Sequence, residues 1–292
     1  MAFYSIEEIV SECNKHNKTF AQVIIEGDMH DREVSRENSI EKMKQMWDAM
    51  ILASTSYEKN DISNSGLVGG DGGKMETYLE EDTPLCGTFV SKVIAQALQM
   101  GESNACMKRI VAAPTAGACG VLPAVLIPYF HQYKATEEEI IEALFVAAGI
   151  GQVIASRAFI AGAAGGCQAE VGSASAMAAG ALVALQGGTP QQISNACGMA
   201  LKALLGLVCD PVAGLVEVPC VKRNVIGAVN ALSVSDMVMA GIVSKIPADQ
   251  VIDAMREVGE KMDVSLKETG KGGLAKTPTA VEITKKIREN SK

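Results

Sequence analysis

The chain has 292 residues, 48% hydrophobic but only 4% aromatic, so its core is built from Ala, Val, Ile, Leu and Met, which pack well between close helices. A formal charge of −8, a pI near 5.1 and scattered lysines and arginines with no basic run exclude a nucleic-acid surface. A small-molecule ligand is the expectation that remains.

At the start, MAFYSIEEIVSEC lacks a basic region followed by an apolar block, so no secretory signal is expected. The eight cysteines are then expected in a reducing cytoplasm, as thiols or metal ligands rather than disulfides. Ser5 followed by Glu8 predicts a helix start, as do Thr136 with Glu139 and Thr189 with Gln192. Strand-like alternation is confined to short pieces such as FAQVII, Phe20 to Ile25. After Thr189 the residues Ile193, Cys197, Ala200, Leu201 and Leu204 recur at helical spacing, and after Pro247 so do Val251, Met255, Val258 and Met262. The predicted fold is mainly α: a short polar N-terminal segment, residues 1–37, packed on a single helical catalytic domain, residues 38–292. The uncharged run Val171 to Leu201 resembles a membrane span, but Ser, Gln, Asn, Gly and Pro190 dilute it. Its apolar part, Ala174 to Leu185, is shorter than the roughly 20 residues a bilayer requires. Buried helices and no membrane contact are expected there.

Four glycine-rich stretches separate the helical patterns: NSGLVGGDGGK, PTAGACG, AGAAGGC and TGKGGLA. Glycine lets consecutive backbone N–H groups face a carboxylate or phosphate; each stretch alone reads more readily as a tight connection, but four in one chain point to an anionic small molecule. GGDGGK is not a phosphate-binding P-loop, because Met75 follows Lys74 where that motif needs Ser or Thr. Pyridoxal phosphate would need a Schiff-base lysine, and the flanking pattern expected around one is missing. Of the cysteines, Cys209 and Cys220 bracket a Pro-stiffened loop, and Cys167 closes AGAAGGC before a predicted helix whose positive end favours a thiolate. Cys13, Cys86, Cys106 and Cys197 are expected to be buried and inert, and Cys119 reads either way. His16, His30 and His131 show no zinc spacing, and the tight cysteine runs of ferredoxins are absent.

PTAGACGVLPAVL, GGCQAEVGSASAMAAG and GLVCDPVAGLVEVPCVKRN resemble the signature segments of the iron–sulfur L-serine dehydratases, or L-serine deaminases, and SGLVGGDGGKM and KETGKGGLA resemble that family's flanking loops. The resemblance runs from about Ser65 to Ala275. It implies a [4Fe–4S] cluster held by Cys167, Cys209 and Cys220, with a fourth iron left open as a Lewis acid for the serine β-hydroxyl. The implied reaction converts L-serine through aminoacrylate to pyruvate and ammonia. Ser65, Gly66, Thr115, Ala116 and Gly117 are the expected cradle for the substrate carboxylate, with Lys74 as a charge partner. His16 and Lys74 are the candidate bases on chemistry alone. The chain resembles the alpha chain of the two-chain form, which implies a separate beta chain that completes the site. A related cluster lyase acting on L-cysteine or L-threonine, and a non-catalytic iron–sulfur sensor or electron carrier, are the competing readings.

Overall fold

Capping chemistry sets where the first helices begin in the computed structural model, which describes residues 3–290. Ser5 accepts the Glu8 N–H at 3.0 Å and opens α1 (Ile6–His16). Thr19 and Gln22 form a reciprocal capping box that opens α2 (Phe20–Arg32). The alternating run Phe20 to Ile25 is therefore helical, not extended. Six alternating residues are outweighed by a capped thirteen-residue helix that buries Phe20, Ala21, Val23, Ile24 and Ile25. Glu37 lies in the first turn of α3 (Arg36–Thr55), and Ile6, Ile9 and Phe20 share one hydrophobic core with Trp47 and the later helices.

A buried carboxylate explains why the glycine-rich DGGK begins a helix. Glu102 accepts the N–H groups of Asp71 at 2.7 Å and Gly72 at 3.2 Å, capping α4 (Asp71–Glu81) from within α5 (Gly87–Ala105). Gly72 has no room for a side chain, since a Cβ there would lie 2.6 Å from Gln99. α6 (Val121–Tyr133) follows, and a capping box at Thr136 and Glu139 opens α7 (Glu137–Arg157). α7 is long and apolar enough to cross a membrane, but most of its apolar stretch is buried inside the fold. A single turn, α8 (Gly162–Gly165), and a π turn at Gln168–Gly172 lead into α9 (Ser173–Leu185).

α9 is the central helix, surrounded by α6, α7, α10 (Pro190–Lys202) and α11 (Cys220–Met239). It is apolar on every side, as a helix with no solvent face must be. Its Ala, Gly and Ser positions let neighbours approach closely: a Cβ on Gly180 would lie 2.2 Å from Ile150. The uncharged run Val171 to Leu201 is thus divided between the π turn, α9 and α10, which a third capping box at Thr189 opens. α12 (Ala248–Lys261) buries Val251, Ile252 and Met255 against α10, and α13 (Pro278–Asn290) packs against the turn Val212–Gly214. Among the described residues there is no strand, only one isolated bridge pairing Cys209 with Lys267.

All eight cysteines are free thiols. Cys13, Cys119 and Cys197 are buried, but Cys86 is exposed and Cys106 half-buried, contrary to the expectation for these two. They occupy the cap positions at the two ends of α5, where the chain turns at the surface.

Candidate active site

Three buried thiols from separate elements face one another within electrostatic range. Cys167 stands at the start of the π turn, Cys209 on the isolated bridge and Cys220 at the first position of α11. Burial pushes the Cys167 thiol up to about 11, against the opposing pull of the Arg223 guanidinium. Cys220 is pushed up to about 12, first by burial and then by Cys167. Cys209 is raised further by burial and by Cys167, Glu170 and Cys220. Each thiol lies within electrostatic reach of the other two.

Two charged side chains complete this interior. Glu170 projects from the π turn, a distortion common at functional sites, and its carboxyl is held above the usual range by burial, which the Thr115 hydrogen bond opposes. A Cβ on Gly162 would lie 2.7 Å from the Glu170 Oε2 and 2.9 Å from the Cys209 Sγ, so only glycine fits where α8 passes both groups. Arg223, one turn beyond Cys220, donates to the Val208 carbonyl at 2.7 Å and to Asp210 Oδ1 at 2.9 Å, and its positive charge acts on the Cys167 thiol. Asp210 in turn accepts the Leu274 N–H at 2.8 Å, while Cys209 exchanges backbone hydrogen bonds with Leu266 and Glu268. Residues 264–276 therefore form a strap over the Cys209 segment.

Both loops expected to hold substrate dock onto carboxylates, one on Glu170 beside the thiols and the other on Glu217 of the loop between Cys209 and Cys220. Thr115 Oγ1 donates to Glu170 Oε1 at 2.7 Å, and Gly117 packs against the same carboxylate. Asn224 ties this loop to α11: its Nδ2 donates to the carbonyls of Gly117 and Cys220, and its Oδ1 accepts the Gly120 N–H at 2.8 Å. Ser65 and Ser63 both donate to Glu217 Oε2, which lies between Cys209 and Cys220 in sequence. Gly66 turns the chain with φ +76°, and its N–H is engaged by the Ser63 carbonyl, so it is not a free donor. Ala116 and Gly117, the first two residues of a 3-10 turn, have no N–H acceptor among the described residues.

The two candidate bases stand differently. Lys74 is exposed, and Asp71 holds its ammonium 2.8 Å away and raises its pKa, so it is a charged group. Asp71 also pairs with Lys222 at 3.1 Å, which puts Lys74 at the rim beside α11 rather than among the thiols. His16 ends α1 at the surface, 3.2 Å from Glu12, and α1 packs on α2, α10 and α12. The structure does not join it to the cysteine group. Cys119 is not a fourth member either; its Sγ faces the Met100 carbonyl at 3.8 Å on the core side.

Glu170, Asp210, Glu217, Arg223 and Asn224 were missed in the sequence, although all lie inside the cysteine-bearing segments. The available signal was charged and amide side chains embedded in nearly apolar stretches, which must find buried partners.

The donor chemistry suits a cluster. Among the described residues no three His, Cys, Asp or Glu side chains are spaced for a single metal ion. Iron–sulfur clusters take cysteine thiolates, coordination deprotonates a thiol outright, and Arg223 supplies a buried cation beside the resulting charge.

The family model described as "Serine dehydratase alpha chain" matches residues 9–275. The chain is 45% identical over 285 residues to a probable L-serine dehydratase alpha chain of Bacillus subtilis (strain 168), covering 98% of this chain and 95% of that one. It is 39% identical over 277 residues to the L-serine dehydratase alpha chain of Peptoniphilus asaccharolyticus, covering 94% and 95%. L-serine dehydratase 1 of Escherichia coli (strain K12) matches at 44% identity over 181 residues, which are 61% of this chain but 40% of the longer protein. With matches of this extent to an alpha chain and to its family model, the chain belongs to the serine dehydratase alpha-chain family.

Proposed function

We propose that the chain is the cluster-bearing subunit of an L-serine ammonia-lyase that forms pyruvate and ammonia, working with a separate beta chain in a reducing, cytoplasmic compartment where its eight free thiols persist. The observation that carries the reading is three buried thiols within electrostatic reach of one another, with the Thr115 loop docked on Glu170 beside them. Cys167, Cys209 and Cys220 would hold a [4Fe–4S] cluster, which supplies a Lewis-acid iron for the departing β-hydroxyl.

The chain's own residues bind and orient the substrate. The N–H groups of Ala116 and Gly117 are donors for the serine carboxylate, and Thr115 fixes their loop by its bond to Glu170. Glu170 Oε2, facing Gly162, is an acceptor for the substrate ammonium. The substrate cation would then offset the cost of a buried carboxylate. Ser65 and Gly66 shape the opposite wall through Glu217 rather than by donating to substrate. Lys74, charged and exposed at the rim, is a charge partner for the carboxylate of the incoming zwitterion. The base that removes the α-proton is assigned to the beta chain, because neither Lys74 nor His16 stands among the thiols.

The test is pyruvate release from L-serine, L-threonine and L-cysteine by the anaerobically loaded chain, with and without the beta chain. Turnover on L-serine that requires both chains is expected. Full activity of the alpha chain alone would remove the shared site, and preference for L-cysteine or L-threonine would remove the substrate assignment.

A further inference from the structure

A cleft of about 510 Å³ opens behind the cysteine loop, between α13, the strap and the turn at Ala213 and Gly214. Lys276, Lys285 and Arg288 line it against a single carboxylate, Glu289. Lys285 lies 3.9 Å from Glu289, while Lys276 and Arg288 form no ion pair among the described residues. This is unlike the neighbouring Lys286, which is paired with Glu282 at 2.7 Å. In an acidic chain, three cations converging on one concavity make a local positive field. The lining hydroxyls of Thr269 and Thr284 already donate to backbone carbonyls, so the donors left for a ligand are cationic.

We propose that this cleft is a binding site for a compact multivalent anion, a di- or tricarboxylate or a phosphate compound, held by Lys276, Lys285 and Arg288. Its walls give such a ligand a path to the thiols. Ala213 and Gly214 lie between Cys209 and Cys220, and Gly270 belongs to the strap whose Glu268 N–H bonds the Cys209 carbonyl at 2.7 Å. An anion bridging α13 to both segments restrains them together, and this needs no cluster and no catalytic role.

The test titrates the full metal-free chain with citrate and, separately, with pyrophosphate at constant ionic strength, by calorimetry and by amide hydrogen exchange. Saturable binding of at least one probe is expected, with slower exchange in residues 209–216 and 266–272. Lys276→Gln with Arg288→Gln should weaken it roughly tenfold or more, because two charge-assisted contacts are lost. The charge-conserving pair Lys276→Arg and Arg288→Lys should retain binding, which guards against a folding defect as the cause. Binding of citrate alone or pyrophosphate alone identifies the carboxylate or the phosphate source. No saturable binding of either probe, equal affinity in the Gln pair, or protection confined elsewhere overturns the proposal.

Discussion

Replacing Arg223 by Met removes one half of a buried ion pair and leaves the other half in place. The Asp210 side chain is 4% exposed and that of Arg223 15%. Breaking such a pair from one side costs about 3–5 kcal/mol, because the remaining charge stays desolvated. Asp210 keeps the Leu274 N–H at 2.8 Å, which places the expected cost near the lower end, about 3 kcal/mol. The bond to the Val208 carbonyl adds about 1 kcal/mol. The assay is urea unfolding of the metal-free chain followed by circular dichroism, for Arg223→Met, Asp210→Asn and the double variant. The double variant should lose clearly less than the two single losses combined, since with both charges gone no orphan remains. A cost below about 1 kcal/mol for Arg223→Met, or simple additivity in the cycle, would refute the reading of this pair as the buried clamp between strap and cysteine loop.

Substituting Ser for Cys167, Cys209 or Cys220 should abolish iron binding, whereas Ala at Cys13 or Cys197 should leave iron content unchanged and cost about 1 kcal/mol of stability, as metal analysis and unfolding would show. Gly162→Ala places a methyl 2.7 Å from Glu170 and 2.9 Å from Cys209, so a loss of about 1–3 kcal/mol with lowered iron occupancy is expected; an unchanged melting temperature and full iron would contradict it. Burial raises the folded pKa of Glu170, so the folded state holds that proton more tightly than the unfolded chain. Its contribution to stability is then greatest below the unfolded carboxyl pKa and falls as pH rises through the raised folded value. Glu170→Gln should therefore stabilise the metal-free chain at neutral pH and flatten that dependence, measured as melting temperature against pH. Alkylation of the metal-free chain at mildly alkaline pH should label exposed Cys86 well before Cys167 and Cys220, whose thiols burial holds near 11 and 12; mass spectrometry showing the reverse order would contradict the burial argument.

Local rules read the helical character correctly wherever the determinant was local. The hydroxyls of Ser5, Thr136 and Thr189 cap the helices their spacing predicted. Phe20 to Ile25 misled because alternation over six residues says nothing of the Thr19 and Gln22 box in front of it. The glycines of DGGK gave no helix signal because the group that caps them, Glu102, lies about thirty residues away. The same distance effect hid most of the site. The grouping of Cys167, Cys209 and Cys220 as one ligand set is implied by the resemblance rather than by spacing, and the partnerships of Thr115 with Glu170 and of Ser65 with Glu217 span 55 and 152 positions. No periodicity records such pairings. A buried carboxylate in an apolar run marks only that a partner exists, and the fold decides which one.

The most direct measurement is iron and acid-labile sulfide in the anaerobically purified chain, read together with its Cys167→Ser, Cys209→Ser and Cys220→Ser variants. Four irons and four sulfides per wild-type chain are predicted, as a [4Fe–4S] cluster requires, with loss of both from each variant. A chain that forms pyruvate from L-serine beside its beta chain while holding neither iron nor sulfide, or variants that keep the wild-type content, would contradict the three-cysteine cluster site.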